Sequence, residues 1–163
     1  MSTSDFIHLH VHTEYSLLDG AIRLDDLIHK AESYGMSAVT MTDHGTMFGA
    51  LSFYKKVSKA GMRPIIGCEV YVAPKSRFDK NPHDQSGGSS HLVLLARNRK
   101  GYQNLCRLAT IAQLEGFYYK PRVDKEVLRE HSEGLIGLSA CLHGEIPRLI
   151  QKDRIDKAKE VAL

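Results

Sequence analysis

The chain is constrained most by an alternation: short apolar runs of strand type are separated by stretches whose apolar residues recur at helical spacing. Residues 38–42, 65–73, 92–96 and 135–140 read as strands, and residues 6–12 as a further one ahead of them. Between them Leu24, Leu27, Ile28 and Ala31 step at helical intervals, as do Leu51, Tyr54, Val57 and Ser58, and Leu105, Leu108, Ala109 and Ala112. Asp25 and Asp26 suit the first turn of one helix, and Gly35 and Gly61 sit where helices should stop. Pro64 is tolerable at the beginning of its strand. Strands alternating with helices indicate an α/β chain with a largely parallel sheet, open or closed into a barrel.

The length, 163 residues, suffices for one domain with a sizeable core and is short for two. There is no internal repeat. Residues 75–90, rich in Gly, Ser, Asn and Asp, read as a mobile loop. At the far end Ile155, Ala158 and Ala162 share a helical face that stops without a cap, so the architecture is expected to continue past residue 163.

Composition excludes more than it selects. A hydrophobic share of 42% and a charged share of 25% are ordinary for a globular domain. No apolar run approaches the roughly 18–20 residues that span a bilayer. The opening residues lack the basic and apolar regions of a secretory signal, so the expected compartment is the cytoplasm, without membrane association. Cys68, Cys106 and Cys141 show no paired spacing, which argues against a disulfide framework. A net charge of +3 is compatible with nucleic acid without demanding it.

Nine histidines are many for this length, and their placement carries the information. His8, His10 and His12 alternate, so on a strand they would share one face at spacings near ~7 Å. Such a run suits a metal site or, equally, a histidine-rich polar face. Asp43-His44-Gly45 follows a strand, where functional residues of βα proteins gather. Asp43 could orient the His44 ring as an outer-shell partner, or simply cap a helix. Glu69 stands inside an apolar strand and must face solvent, a cation or a ligand. His91 opens a strand where the others end one; a strand running back beside residues 65–73 would bring it to the same end. Asp19, in an Asp-Gly turn, and Cys141, after the fifth strand, have ordinary readings as turn and small core residue.

The run from His8 through Gly20 (HLHVHTEYSLLDG) resembles the first motif of the PHP (polymerase and histidinol phosphatase) family as it occurs in bacterial replicative polymerases. Thr42-Asp43-His44-Gly45 and the run from Pro64 to Glu69 are similar to its next motifs. Gly101-Tyr102-Gln103-Asn104-Leu105, Glu115-Gly116-Phe117-Tyr118 and Gly134-Leu135-Ile136 resemble the polymerase III alpha branch more than phosphatase relatives.

The resemblance implies a distorted TIM-like (β/α)7 barrel, residues 1–163 being its N-terminal part within a longer polymerase chain. It implies two or three divalent ions held by His10, His12, Asp19, His44, Glu69, His91 and Cys141, with His8 outside that set. Two further ligands, in an Asp-x-His motif, would come later in the chain. A mixed N/O site suits Zn, Mn or Fe better than a pure Mg site, and Cys141 tilts the choice toward Zn. The activity implied is metal-assisted phosphodiester hydrolysis, 3′–5′ exonuclease action on a single-stranded DNA end, beside other subunits of the replicative holoenzyme. A small-molecule phosphoesterase and a non-catalytic metal-stabilised scaffold are the alternatives. Lys55, Lys56, Lys59 and Arg63 read as a solvated face; Tyr15, Phe117, Tyr118 and Tyr119 could stack bases but more commonly would be core. His29, His83, His131 and His143 match no ligand motif and read as surface or loop residues.

Overall fold

A computed structural model describes residues 6–17, 19–80 and 88–163. The elements run α1 (Leu24–Ser33), β1 (Ala38–Met41), α2 (Ala50–Lys59), β2 (Arg63–Val72), β3 (Ser90–Ala96), α3 (Arg99–Leu114), β4 (Arg122–Val123), α4 (Lys125–Glu130), β5 (Leu135–Leu138), α5 (Glu145–Gln151) and α6 (Ile155–Ala162). The α/β class follows as expected. The largely parallel sheet does not: β1 and β4 pair with β2 in parallel, whereas β2–β3 and β3–β5 are antiparallel. The reversed course of β3 is the one that the position of His91 required.

Strand β2 organises the sheet because it is paired along both edges. β3 covers one edge from Gly67 to Val72. The other edge takes β1 at Arg63–Ile66, then a bridge from His44 to Glu69, then β4 at Tyr71 and Val72. The two-residue side-chain period of a strand divides β2 cleanly. Cys68, Val70 and Val72 point into a core with Leu94, Leu105, Leu108, Val123 and Val127, under α3 and α4. Gly67, Glu69 and Tyr71 take the opposite face. A second core, of Leu24, Ile28, Val39, Met41, Phe53 and Val57, seats α1 and α2 against β1.

The expected strand at residues 6–12 is instead an extended segment outside the ladder. Its Val11 N–H goes to the Thr42 hydroxyl and its Val11 carbonyl accepts from Thr42 N–H, so a side chain takes the place of one ladder bond. Both expected helix stops hold, with Gly35 and Gly61 at positive φ. Elements β4, α4 and α5 were not anticipated from periodicity. The described parts of the 75–90 loop are anchored, because the Arg77 guanidinium bonds Glu115, Asp124 and Glu126; residues 81–87, with His83, lie outside the described residues. Among the described residues no helix is long and apolar enough to cross a membrane.

Candidate metal centre

Glu69 is the hub of the seven predicted side chains: four histidines meet it directly, Asp19 joins through two of their rings, and Cys141 touches it at the edge. Glu69 is only 1% exposed, yet its carboxylate is surrounded. Oε2 lies 2.5 Å from His10 Nε2, 2.7 Å from His12 Nε2 and 3.6 Å from His44 Nε2. Oε1 lies 2.8 Å from His91 Nδ1. Asp19 reaches the group through two of the same rings, its Oδ2 being 3.0 Å from His12 Nδ1 and 2.9 Å from His44 Nε2. Cys141 Sγ stands 3.5 Å from His91 Nδ1 and 3.8 Å from Glu69 Oε1. His8 does not join. It is edge-on to Phe6 and lines an apolar groove with Val11, Ile22, Leu27 and Tyr34, so the shared face expected for three histidines holds only for His10 and His12.

Local structure explains how these side chains are aimed. Ser16 donates its hydroxyl to Asp19 Oδ1 at 2.7 Å, which leaves Oδ2 toward the histidines. The Tyr71 ring stacks on His44 with centroids 5.5 Å apart and stands edge-on to His91 at 5.0 Å. Neither reading of Asp43 holds: the N-cap of α2 is Gly49, and Asp43 does not bond the His44 ring. Its carboxylate accepts from the Thr13 N–H at 2.6 Å and the Thr13 hydroxyl at 2.8 Å, while His44 Nδ1 is buried without a partner. Asp43 therefore clamps the segment bearing His12 onto the loop bearing His44, a long-range role that a turn motif cannot reveal.

The electrostatics match a carboxylate held among imidazoles. Burial would raise the Glu69 pKa, but the bonds from His10 and His12 outweigh it and hold the carboxyl well below the usual range. His12 is raised, chiefly by its bond to Glu69, against the opposing effect of burial. His44 and His91 are lowered, chiefly by burial. Cys68, behind the sheet face, is pushed up to about 12 by burial, so it is a core thiol and not a reactive one.

Three overlapping sets of donor atoms each lie within 4.8 Å: His10, His12 and Glu69; His12, Asp19 and His44; His44, Glu69 and His91. Sharing His12, His44 and Glu69, these sets fit neighbouring divalent cations, and imidazole plus carboxylate is the right chemistry for them. The approach of His10 Nε2 to His12 Nε2 at 3.1 Å points the same way, since two ring nitrogens on one carboxylate oxygen are what a shared cation would hold.

Three nearby residues were missed from sequence. His143 lies with its ring 5.4 Å from His91 and its Nδ1 3.8 Å from Cys141 Sγ; its position two residues after Cys141 was the available signal. Tyr71 and Lys120, whose ammonium sits 4.5 Å over the Tyr71 ring, had none. His29 is exposed on α1 and His131 ends α4, both outside the cluster. Lys55, Lys59 and Arg63 are exposed and Lys56 pairs with Asp25, so the basic run is a solvated face.

Fold and site together define an α/β domain with a multi-histidine, two-carboxylate centre beside the C-terminal end of its central strand. Residues 8–163 match the PHP domain, and the chain belongs to that family. The α/β class that the resemblance implied holds, its described strands forming one mixed sheet in the order β1-β2-β3-β5 with β4 on β2. The chain is 54% identical over 160 residues to the DNA polymerase III subunit alpha of Borreliella burgdorferi, covering 98% of this chain and 14% of that protein. It is 56% identical over 157 residues to the same subunit of Thermus aquaticus, covering 94% of this chain and 13% of the relative. Among solved structures, an amidohydrolase from Chromobacterium violaceum is 22% identical with a TM-score of 0.47, over 66% of this chain and 33% of that one. The chain thus spans about one seventh of the length of the curated relatives it matches.

Proposed function

We propose that residues 1–163 are the N-terminal PHP domain of a bacterial replicative polymerase of the polymerase III alpha type, and that the domain hydrolyses phosphodiesters at a single-stranded DNA 3′ end. The observation that carries this reading is the convergence of four imidazoles on one buried carboxylate, Glu69. His10, His12, Asp19, His44, Glu69, His91 and Cys141 would hold two or three divalent cations, Zn or Mn in preference to Mg or Fe. When bound, such ions acidify water and stabilise charge on phosphate oxygens.

The chain's own residues supply the positioning. Glu69 sits where β2 is paired on both edges, so its backbone cannot drift. Asp43, through Thr13, fixes the spacing of His12 and His44. Ser16 turns Asp19, and Tyr71 backs the His44 ring. Asp19 is more than 40% exposed, so the centre is open on that side to a substrate longer than a small metabolite. Elsewhere in the parent, DNA synthesis and contacts with other holoenzyme subunits belong to residues beyond these.

A metal-stabilised scaffold is the second reading, favoured by one observation: the donors come from well-separated chain segments, so cations would cross-link the fold. Elemental analysis of the full-length protein, with release of 3′-labelled nucleotides from single-stranded DNA, separates the two. Hydrolysis that disappears in His12→Ala supports the nuclease reading. Stoichiometric metal with no nucleotide release in metal-defined buffer overturns it in favour of the scaffold.

A further inference from the structure

The segment leading into Lys120 and Pro121 exposes aromatic surface, the Tyr119 ring meeting only the Tyr118 ring edge-on with centroids 4.6 Å apart among the described ring contacts. Tyr15 is packed against the second core, but Phe117 is 49% and Tyr119 83% exposed. Tyr119 also has φ of 58°, a left-handed conformation that side chains adopt only when their surroundings impose it. The surroundings here are firm. On one side Tyr118 N–H donates to the Lys120 carbonyl, and the Tyr118 ring lies 5.1 Å from the Arg122 guanidinium. Arg122 is itself buried, donating to the carbonyls of Gly116, Arg77 and Asp79. On the other side Pro121 presses on Gly45, where an added Cβ would come within 2.7 Å of Pro121 Cγ.

That second contact joins the loop to the metal centre, because Gly45 directly follows His44. Lys120 makes the same connection through its side chain. Its ammonium lies over the Tyr71 ring, which in turn stacks on His44 and abuts His91. Among the described residues Lys120 has no carboxylate partner, so its charge is free for an anion. An ammonium set over Tyr71 and an exposed ring one residue before it, on a backbone anchored by Pro121 against Gly45, match the two repeating features of a nucleic acid strand: phosphate and base face.

We infer that residues 117–121 form the rest on which a single strand lies as its terminal phosphodiester enters the centre. Lys120 takes a backbone phosphate and Tyr119 stacks on a base. This rests on the hydrolytic reading above and deepens it, since a compact phosphate monoester offers no base to stack. Stacking tolerates any base, as an enzyme trimming arbitrary ends requires. Lys120 and Tyr119 are positioning residues; neither is placed among the donors.

The test uses the full-length polypeptide and an oligonucleotide whose 3′-terminal base is 5-iodouracil. Irradiated in the presence of chelator, so that no hydrolysis intervenes, it should form an adduct on Tyr119 identified by peptide mass spectrometry. Adducts confined to other segments would overturn the inference. In the metal-loaded protein, Tyr119→Gly should lower the ratio of kcat/KM for oligonucleotide over bis(p-nitrophenyl) phosphate by about 5- to 150-fold, the worth of one stacked base. Glycine relieves the left-handed strain, so loss of folding cannot mimic this effect, and Tyr119→Trp should restore the ratio. Lys120→Met should raise KM for the oligonucleotide and reduce the salt dependence of binding by about one unit of slope. A ratio unmoved by Tyr119→Gly would equally overturn the inference. Should the wild-type protein cleave neither substrate, the hydrolytic reading fails, and the adduct alone decides whether a strand lies at Tyr119.

Discussion

Replacing Glu69 by glutamine is the sharpest perturbation of the centre, because it removes a charge while keeping the volume of a side chain that is 1% exposed. Without metal the loss is modest. The carboxylate accepts from His10, His12 and His91 at 2.5, 2.7 and 2.8 Å, and an amide replaces one accepting oxygen with a donor. The rings can adjust by changing tautomer, so the cost should be about 1–3 kcal/mol, that of hydrogen bonds to a charged group. With metal the loss is larger, since Glu69 belongs to two of the three donor sets. Loss of a mere outer-shell partner weakens metal sites by roughly 10–100-fold, so removal of a shared charged donor should exceed about 100-fold. At a metal concentration about 100 times the wild-type Kd, binding stabilises the domain by about 2.7 kcal/mol, and a 100-fold weaker variant would gain only about 0.4 kcal/mol. For a domain of this size that is a metal-induced rise in Tm of roughly 5–11 °C reduced to roughly 1–2 °C. Calorimetry of the domain transition with metal and with chelator reads the difference directly. An equal metal-induced rise in Glu69→Gln would refute Glu69 as a shared donor.

Three other outcomes follow from particular contacts. Gly67→Ala should destabilise by about 2 kcal/mol or more in denaturant titrations, because its Cβ would meet the Leu94 carbonyl at 2.5 Å and Thr42 Cγ2 at 2.9 Å; a neutral result would refute the close approach of β3. Asp124 caps α4 and accepts from Arg77. Burial opposes its ionisation, but the bonds from Arg77 and Val127 outweigh it and depress its pKa. A depressed carboxyl stabilises above its ordinary pKa of 3.8 and loses that contribution as pH falls through the folded value. Asp124→Asn should therefore cost about 1–2 kcal/mol near neutrality and converge with wild type as pH falls through the depressed folded pKa; a difference persisting in acid beyond that would show that charge is not its source. Cys141→Ser should lower the Zn-to-Mn affinity ratio by roughly tenfold or more in competition titrations, thiolate being the softer donor; an unchanged ratio would remove Cys141 from the donor set.

What the sequence made legible was local or chemically forced. Glu69 could be singled out because a carboxylate in an apolar strand has few destinations. Helices α1 and α2 declared themselves through spacing and terminal glycines. The failures share a cause in contacts between distant segments. Asp43 bonds Thr13 thirty residues away, so its neighbour His44 was a plausible but wrong partner. Residues 6–12 looked like a strand, but Thr42 offers Val11 a hydroxyl, which nothing local could announce. Strand β4 is two residues long and carries no period. Lys120 belongs to the centre only because Pro121 lands on Gly45, a fact of tertiary packing.

The reversed strand shows why the site depends on register as much as on residue identity. In the antiparallel pairing of β2 with β3, Glu69 faces Val93 and Tyr71 faces His91, so His91 and Val93 share the face of Glu69. Leu92 and Leu94 turn to the opposite core. Had β3 run parallel, its first residues would lie beside the start of β2, far from Glu69. Had it slipped by one residue, Leu92 would enter the centre and His91 the core, exchanging a ligand for a side chain that cannot bind metal. Two features hold the register against that slip. Apolar side chains of β3 are buried on the far face, which makes a one-residue shift costly. Gly67, with no side chain, admits the β3 backbone where a Cβ would meet the Leu94 carbonyl at 2.5 Å. The glycine and the glutamate two residues later are thus parts of one device: the first lets the neighbouring strand approach, and the second meets the histidine that the approach delivers.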